Sequence, residues 1–388
     1  MKIGNTIYFD HQATTPLDAR VLEDMLPYFG DSFGNPHSND HIIGWRASKC
    51  VDKAAEEAAR MIGADRDEII FTSGATEANN LALLGVGRRA ASGSRKKILV
   101  SEIEHKCVLE VCRVLHEQHG YELEYLPVHA SGVLNIDALK RLMSEEVLIV
   151  TVMAVNNEIG TIQDIAEISK IVRSAGALLH CDAAQAPCAM DMSKLGEQVD
   201  MLSLSAHKMH GPQGIGALYL RRPLLNEIEP LVYGGGQQGA MRSGTLPLAL
   251  CVGMGIASRL IVETSLDARQ SLSNLRDDFV EKLKASSWSI SINGCEGKHR
   301  HPGNANLAFE GFDAQEILGA LQPQLAASTG SACTTGTPET SHVLRAIGLS
   351  EREARSSIRF SLGRGTTHDE VDQAANSILD TLEKIASR

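Results

Sequence analysis

Between about residue 47 and residue 260, stretches with apolar residues at helical spacing alternate with short, almost purely apolar runs. Ala47-Ser48-Lys49-Cys50-Val51 through Met61 carries small apolar residues along one helical face, and Glu68-Ile69-Ile70-Phe71 follows as a strand. Further strands are predicted at Ile98-Leu99-Val100, Val147 to Val155, Ala177-Leu178-Leu179-His180, Met201-Leu202-Ser203-Leu204 and Gly216-Ala217-Leu218-Tyr219-Leu220. The run from Val147 to Val155, broken only by Thr151, is far short of the roughly 20 residues that span a bilayer, so it reads as a buried strand. This alternation predicts an α/β fold with a mostly parallel sheet, helices on both faces, and a ligand crevice at the C-terminal ends of the strands. After residue 260 the period changes. A helix over Arg269 to Leu283 precedes short strands at Ser289-Ile290-Ser291-Ile292, Asn306-Leu307-Ala308-Phe309 and Ser357-Ile358-Arg359-Phe360, with helices starting near Ala314 and His368. This predicts a smaller α+β domain.

The length of 388 residues fits two or three domains with a large core. A hydrophobic share of 43% with 22% charged residues excludes a disordered tail and a membrane protein. The net charge of −11 would repel phosphate backbones, so direct nucleic-acid binding is not expected. The eight cysteines form no C-x-x-C pair and lack the pattern of a disulfide framework or zinc site. The N-terminus has no apolar signal core. A cytoplasmic protein with reduced thiols and no metal is therefore expected.

Three segments carry chemistry. Ser205-Ala206-His207-Lys208-Met209-His210-Gly211-Pro212 follows a buried strand, and a lysine there is costly unless paired or covalently used. Desolvation lowers a lysine pKa and makes the amine nucleophilic, as Schiff-base chemistry requires. Thr72-Ser73-Gly74-Ala75-Thr76-Glu77 links a strand to a helix start and can cradle a phosphate, although an ordinary N-cap explains the same residues. Asp182 ends the strand Ala177 to Cys181, where a carboxylate can hold a heteroaromatic nitrogen protonated or simply cap the next turn.

Taken in order, these pieces resemble the fold-type I pyridoxal-phosphate enzymes of the class V aminotransferase family, and within it the cysteine desulfurases. The resemblance runs from Tyr8-Phe9-Asp10-His11-Gln12-Ala13-Thr14-Thr15-Pro16 to Ser361-Leu362-Gly363-Arg364. It includes Phe33-Gly34-Asn35-Pro36-His37-Ser38, Glu104-His105-Lys106, Val155-Asn156-Asn157-Glu158-Ile159-Gly160 and Met241-Arg242-Ser243-Gly244-Thr245. It implies a large cofactor-binding domain over 15–260 and a small domain over 1–14 and 261–388 carrying a catalytic cysteine loop, 328–341. It also implies pyridoxal 5'-phosphate as cofactor, carried on Lys208. Ala75, Thr76, Ser205 and His207 match phosphate-binding positions, and Thr245 matches a residue that reaches the phosphate of a partner subunit in a homodimer. His105 matches the imidazole stacked on the pyridine ring, Asp182 the partner of the ring nitrogen and Gln185 that of the ring hydroxyl. Asn157 is also counted with the cofactor site, and Arg359 with Asn35 and Asn157 is placed to take the substrate carboxylate, a bidentate task for a planar guanidinium.

Cys333 lies in Ser328-Thr329-Gly330-Ser331-Ala332-Cys333-Thr334-Thr335-Gly336-Thr337-Pro338-Glu339-Thr340-Ser341, a polar, turn-rich stretch with little to anchor a buried thiol. Its length resembles the desulfurases whose loop cysteine takes sulfur from L-cysteine, leaving L-alanine and a persulfide for an acceptor protein. Cys50, Cys107, Cys112, Cys181, Cys188 and Cys251 lie among apolar neighbours and are expected in the core; Cys295 sits in a turn without a role, and His299 and His301 in a solvated loop. A selenocysteine lyase or an aminotransferase of the same fold is the nearer alternative, and a catalytically silent docking scaffold the more distant one. Only 24 residues follow Arg364, and Thr334-Thr335-Gly336-Thr337 and Gly365 depart from the members that feed an iron–sulfur scaffold. Iron–sulfur clusters, tRNA thiolation, DNA phosphorothioation and other thio-cofactors all stay open as destinations of the sulfur.

Overall fold

The computed structural model describes residues 1–263, 266–329 and 340–388. The chain starts with a short antiparallel pair, β1 (Lys2–Ile3) and β2 (Thr6–Tyr8). Seven strands then form the main sheet: β3 (Ile69–Thr72), β4 (Lys97–Ser101), β5 (Glu122–Leu126), β6 (Val147–Thr151), β7 (Leu178–Asp182), β8 (Met201–Ser205) and β9 (Gly216–Leu220). Their order across the sheet is β3-β9-β8-β7-β6-β4-β5, and only β9 runs antiparallel to its neighbours. The sheet is largely parallel, as the alternating pattern predicts. Every residue of β3, β6, β8 and β9 is buried, which explains why these sequences are largely apolar and carry no charge.

Two local features differ from the sequence expectation. The strand predicted through Val155 ends at Thr151, because the next amides leave the ladder: Val152 N–H donates to the His180 carbonyl and Ala154 N–H to that of Asp182. This carries the still-buried chain across the mouth of β7 toward Asn157. The edge strand β5 escapes an apolar search because Glu122, Glu124 and Tyr125 alternate with apolar residues on a partly solvated ribbon.

The later part of the chain adds β10 (Ile290–Ile292), β11 (Asn304–Phe309), β12 (Leu325–Ala326) and β13 (Ser357–Ser361). β11 lies between β10 and β13 in an antiparallel sheet, and β12 joins β2 in parallel. A separate apolar core fills this region, where Phe279 meets Phe9 and Phe360 edge to face at 5.6 and 5.2 Å. The helix His368–Ala386 closes it, started by a capping box between Thr367 and Glu370. His299 is exposed as expected, but His301 is buried, and that burial, followed by the charge of Arg276, whose guanidinium bonds the His301 carbonyl, pushes the imidazole down to about 3. Cys295 is also buried, held through its carbonyl by Arg300.

Residues 9–16 tie the two regions together. Ser361 N–H donates to the Phe9 carbonyl, His11 N–H to that of Ser361 at 3.1 Å, and Thr15 N–H to that of His207 at 3.0 Å. This segment lies at the C-terminal ends of the parallel strands, facing β13.

Candidate active site

A cavity of about 580 Å³ opens where β6, β7 and β8 end against the 9–16 segment and β13. Its lining brings together Ala75, Thr76, His105, Asn157, Asp182, Gln185, Ser205, His207, Lys208 and Arg359 from distant parts of the chain. Asn35 and Thr245 are exposed and stand outside this lining. Cys333 lies outside the described residues.

Lys208 ends the tight turn Ala206–Lys208 after β8. Its Nζ donates to the carbonyls of Gln12 at 2.6 Å and Ala13 at 2.7 Å. Burial, with the Arg359 charge nearby, lowers its pKa to about 8, against the opposing pull of Asp10 and Asp182. A minor but useful fraction of the amine, about a fifth at pH 7.4, is therefore neutral, far more than for an ordinary lysine. Gln185 Nε2 donates to the same Gln12 carbonyl at 2.9 Å.

Opposite the lysine, the turn after β3 leads into the helix Ala75–Arg89, whose start has no side-chain cap. Its first amides lack intrahelical acceptors and form a positive end of the helix dipole. Glu77 does not cancel this end, because it accepts from Ser73 N–H at 2.7 Å and pairs with Arg242 at 2.8 Å. Gly216 lets the turn sit close to β9: a Cβ there would stand 2.6 Å from Gly74 Cα and 2.5 Å from the Leu204 carbonyl. Ser205 and His207 complete this corner, with His207 Nδ1 3.0 Å from Thr14 Oγ1. Burial and then the Lys208 charge depress the His207 pKa to about 4, leaving a neutral ring.

Asp182 lies at the floor, buried. Its Oδ2 accepts from Asn79 Nδ2 at 2.7 Å and its Oδ1 from Ala184 N–H at 2.9 Å. Beside it the Glu104 carboxyl is fully enclosed, with Oε1 accepting from Met153 N–H and Oε2 lacking a partner. Burial and then the Asp182 charge hold the Glu104 carboxyl well above the usual carboxyl range. His105 caps the helix Lys106–His119, its Nδ1 accepting from Cys107 N–H at 3.2 Å.

Arg359 projects from β13 into the other side of the cavity. It donates to the Asn157 carbonyl at 2.9 Å, to Ser328 Oγ at 2.8 Å and to Asp10 Oδ1 at 2.7 Å; its Nε has no partner. Nearby, Ser341 Oγ donates to Glu158 Oε2 at 2.5 Å and His342 Nε2 meets the Glu104 carbonyl at 2.9 Å. Both chain ends that flank residues 330–339 are thus fastened beside the cavity.

Sequence reasoning assigns no role to Asp10, Gln12, Asn79 or Glu104, and places Cys107 in the core. Cys107 instead lines the cavity. Asn79 stands one helical turn beyond Ala75, on the same face, and Cys107 two residues beyond the capping His105. Those spacings are the signals that could have found them. A second, more apolar cavity of about 280 Å³ lies behind Lys208 between His11, His210 and Leu275. Arg269 and Arg364 reach its lining, but it has neither a carboxylate nor the helix-start anion cradle of the first.

A model of the aminotransferase class-V family matches residues 7–374. A protein named cysteine desulfurase IscS from Rickettsia prowazekii (strain Madrid E) is 45% identical over 380 residues, covering 98% of this chain and 92% of that protein. Among solved structures, a NifS-like protein superposes with a TM-score of 0.90 at 34% identity, covering 97% of this chain and 99% of that one. A protein described as SspA in complex with cysteine gives a TM-score of 0.81 at 37% identity, covering 92% and 99%.

Proposed function

The chain belongs to the class-V aminotransferase family and is a cysteine desulfurase, and on that premise we propose that it uses pyridoxal 5'-phosphate, carried on Lys208, to move sulfur from L-cysteine onto Cys333. The observation that carries this reading is the convergence of a desolvated lysine, an uncapped helix start and a buried carboxylate on one cavity.

The cavity fits the cofactor. The amides of Ala75 and Thr76, with Ser205 and His207, would hold its phosphate, in a cradle that a Cβ on Gly216 would disturb. Asp182 would hold the ring nitrogen, Gln185 the ring hydroxyl and His105 the ring face. When bound, pyridoxal phosphate supplies an electron sink that makes the Cα proton of an amino acid acidic. Arg359, fixed by Asn157 and Ser328, orients the substrate carboxylate, and Asn157 flanks it. Lys208 Nζ, with His105, moves the proton at Cα.

The sulfur step needs a thiolate. Cys333 Sγ bonds to the substrate sulfur as the Cβ–S bond breaks. The carbon keeps the bonding pair and takes a proton, giving L-alanine, and Cys333 is oxidised to a persulfide. Cys333 follows Ser328 by five residues, a reach of up to about 18 Å from an anchor on Arg359 itself. A sulfur-acceptor protein then takes the persulfide sulfur.

Wider assignments follow. Phe29, Phe33, Ile42, Ile43 and Trp45 form an exposed apolar group near Asn35, which supports a homodimer in which Asn35 and Thr245 serve the partner's site. The separate apolar cores support a large domain over 15–260 and a small one over 1–14 and 261–388. All seven described cysteines are free thiols, which supports a cytoplasmic location. No single described helix is long and apolar enough to cross a membrane.

The test is alanine formation from L-cysteine by the full chain loaded with pyridoxal phosphate, under a thiol reductant. Cys333→Ser should keep the cofactor absorbance and lose alanine production; undiminished alanine release would overturn the role of Cys333. Selenocysteine turnover without cysteine turnover would instead identify a lyase.

A further inference from the structure

Cys107 stands between two groups of the site. Asn79, fully buried, directs Nδ2 to Asp182 Oδ2 at 2.7 Å and to Cys107 Sγ at 3.3 Å. Cys107 Sγ is 3.0 Å from His105 Nδ1, and the Cys107 backbone N–H faces the same nitrogen. The available hydrogens fix the direction of every link. A carboxylate offers only acceptors, so Asn79 must present its NH₂ group to Asp182, one hydrogen to each neighbour. The reversed amide would set its oxygen against the carboxylate. The assigned orientation leaves Asn79 Oδ1 buried without a partner, a cost the site bears in keeping both donors in place. The thiol, receiving from Asn79, has one hydrogen left, and it points to His105 Nδ1. Facing two donors, Nδ1 carries no hydrogen of its own.

We infer that Asn79 and Cys107 are positioning residues, forming an oriented hydrogen-bond chain from Asp182 to His105 that holds the imidazole with its hydrogen on Nε2. Nε2 is the ring nitrogen without a protein partner among the described residues, so any proton His105 exchanges with the cavity passes through it. The chain also joins the carboxylate assigned to the ring nitrogen with the imidazole assigned to the ring face, so a change at one is felt at the other. Burial raises the Cys107 pKa to about 11, which keeps the sulfur a neutral donor rather than a nucleophile. The functional consequence rests on the desulfurase reading; the chain itself can be tested without turnover.

The experiment uses full-length protein as purified. The S–H stretching band of Cys107 is identified by infrared difference against Cys107→Ala, and the His105 ring nitrogens by ¹⁵N NMR against His105→Gln. The band should lie below that of a free thiol and move up in His105→Phe, with wild-type His105 protonated on Nε2 alone. Cys107→Ser, which keeps a donor, should retain that single tautomer. Cys107→Val should gain a visible Nδ1-protonated fraction, and Asn79→Leu should weaken the shifted band as the thiol turns toward Asp182. A wild-type band at the free-thiol position, or an unchanged single tautomer in Cys107→Val, would overturn the inference. Protein with all the expected signatures but no alanine formation would support the chain while refuting the catalytic reading.

Discussion

Arg359 Nη2 lies 2.7 Å from Asp10 Oδ1, an ion pair closed between residues 349 positions apart. The guanidinium is 5% exposed on its side chain and also bonds Asn157 and Ser328, so it is held in orientation before any carboxylate arrives. Such preorganisation saves a binding site the entropy of ordering a flexible arginine.

Removing Asp10 should be costly, because it strands a buried positive charge. Asp10→Ala is expected to destabilise the fold by about 2–3 kcal/mol in urea unfolding, toward the lower end for a broken buried pair because Asp10 keeps 19% of its side chain exposed. In the same site Arg359→Lys keeps the charge and loses the fork, so KM for L-cysteine should rise at least about tenfold with a smaller change in kcat.

The Lys208 amine should gain reactivity at a lower pH than an ordinary lysine. With its pKa near 8, capture of a small aromatic aldehyde by cofactor-free protein should accelerate about tenfold per pH unit up to about pH 8 and then level off. A rate still climbing past pH 10 would mean that the amine is solvated. Lys208→Ala should abolish both the capture and turnover.

Glu104 binds its proton more tightly folded than unfolded, so the folded state holds more protons above pH 4.5 and stability falls as pH rises from there. Glu104→Gln removes this dependence while keeping an oxygen for Met153 N–H. The stability of the variant relative to wild type should therefore grow as pH rises above 5 in urea titrations; a constant difference would contradict the raised carboxyl.

Gly216→Ala should push the Gly74 turn away from β9. The added Cβ meets backbone on both sides, where little can yield, so a loss of about 1–3 kcal/mol is expected together with weaker retention of pyridoxal phosphate on dialysis. A stability loss without cofactor loss would detach this turn from the phosphate site.

Much of this was legible in the linear sequence for a physical reason. Fully buried strands such as β6 and β9 must be uncharged and largely apolar, and Lys208 and Asp182 stand out because each lies at or just past the end of a buried strand. Edge strand β5 was not legible, since half its residues meet water. Nor were Asp10 and Asn79, whose importance arises from partners more than a hundred residues away. Cys107 and His301 show the same limit in both directions. A thiol among apolar neighbours faces a polar cavity, and a histidine beside a proline in a polar stretch is packed under a helix.

The 9–16 segment sets a timetable for the nascent chain. It emerges long before its partners His207 and Ser361, which lie far downstream in the chain. Until β13 emerges, the Gln12 and Ala13 carbonyls that steady Lys208 have no scaffold behind them. The cavity around Lys208 is consequently completed late, only once β13 has been made, and a chain arrested before β13 would lack both the anchor of the 9–16 segment and Arg359.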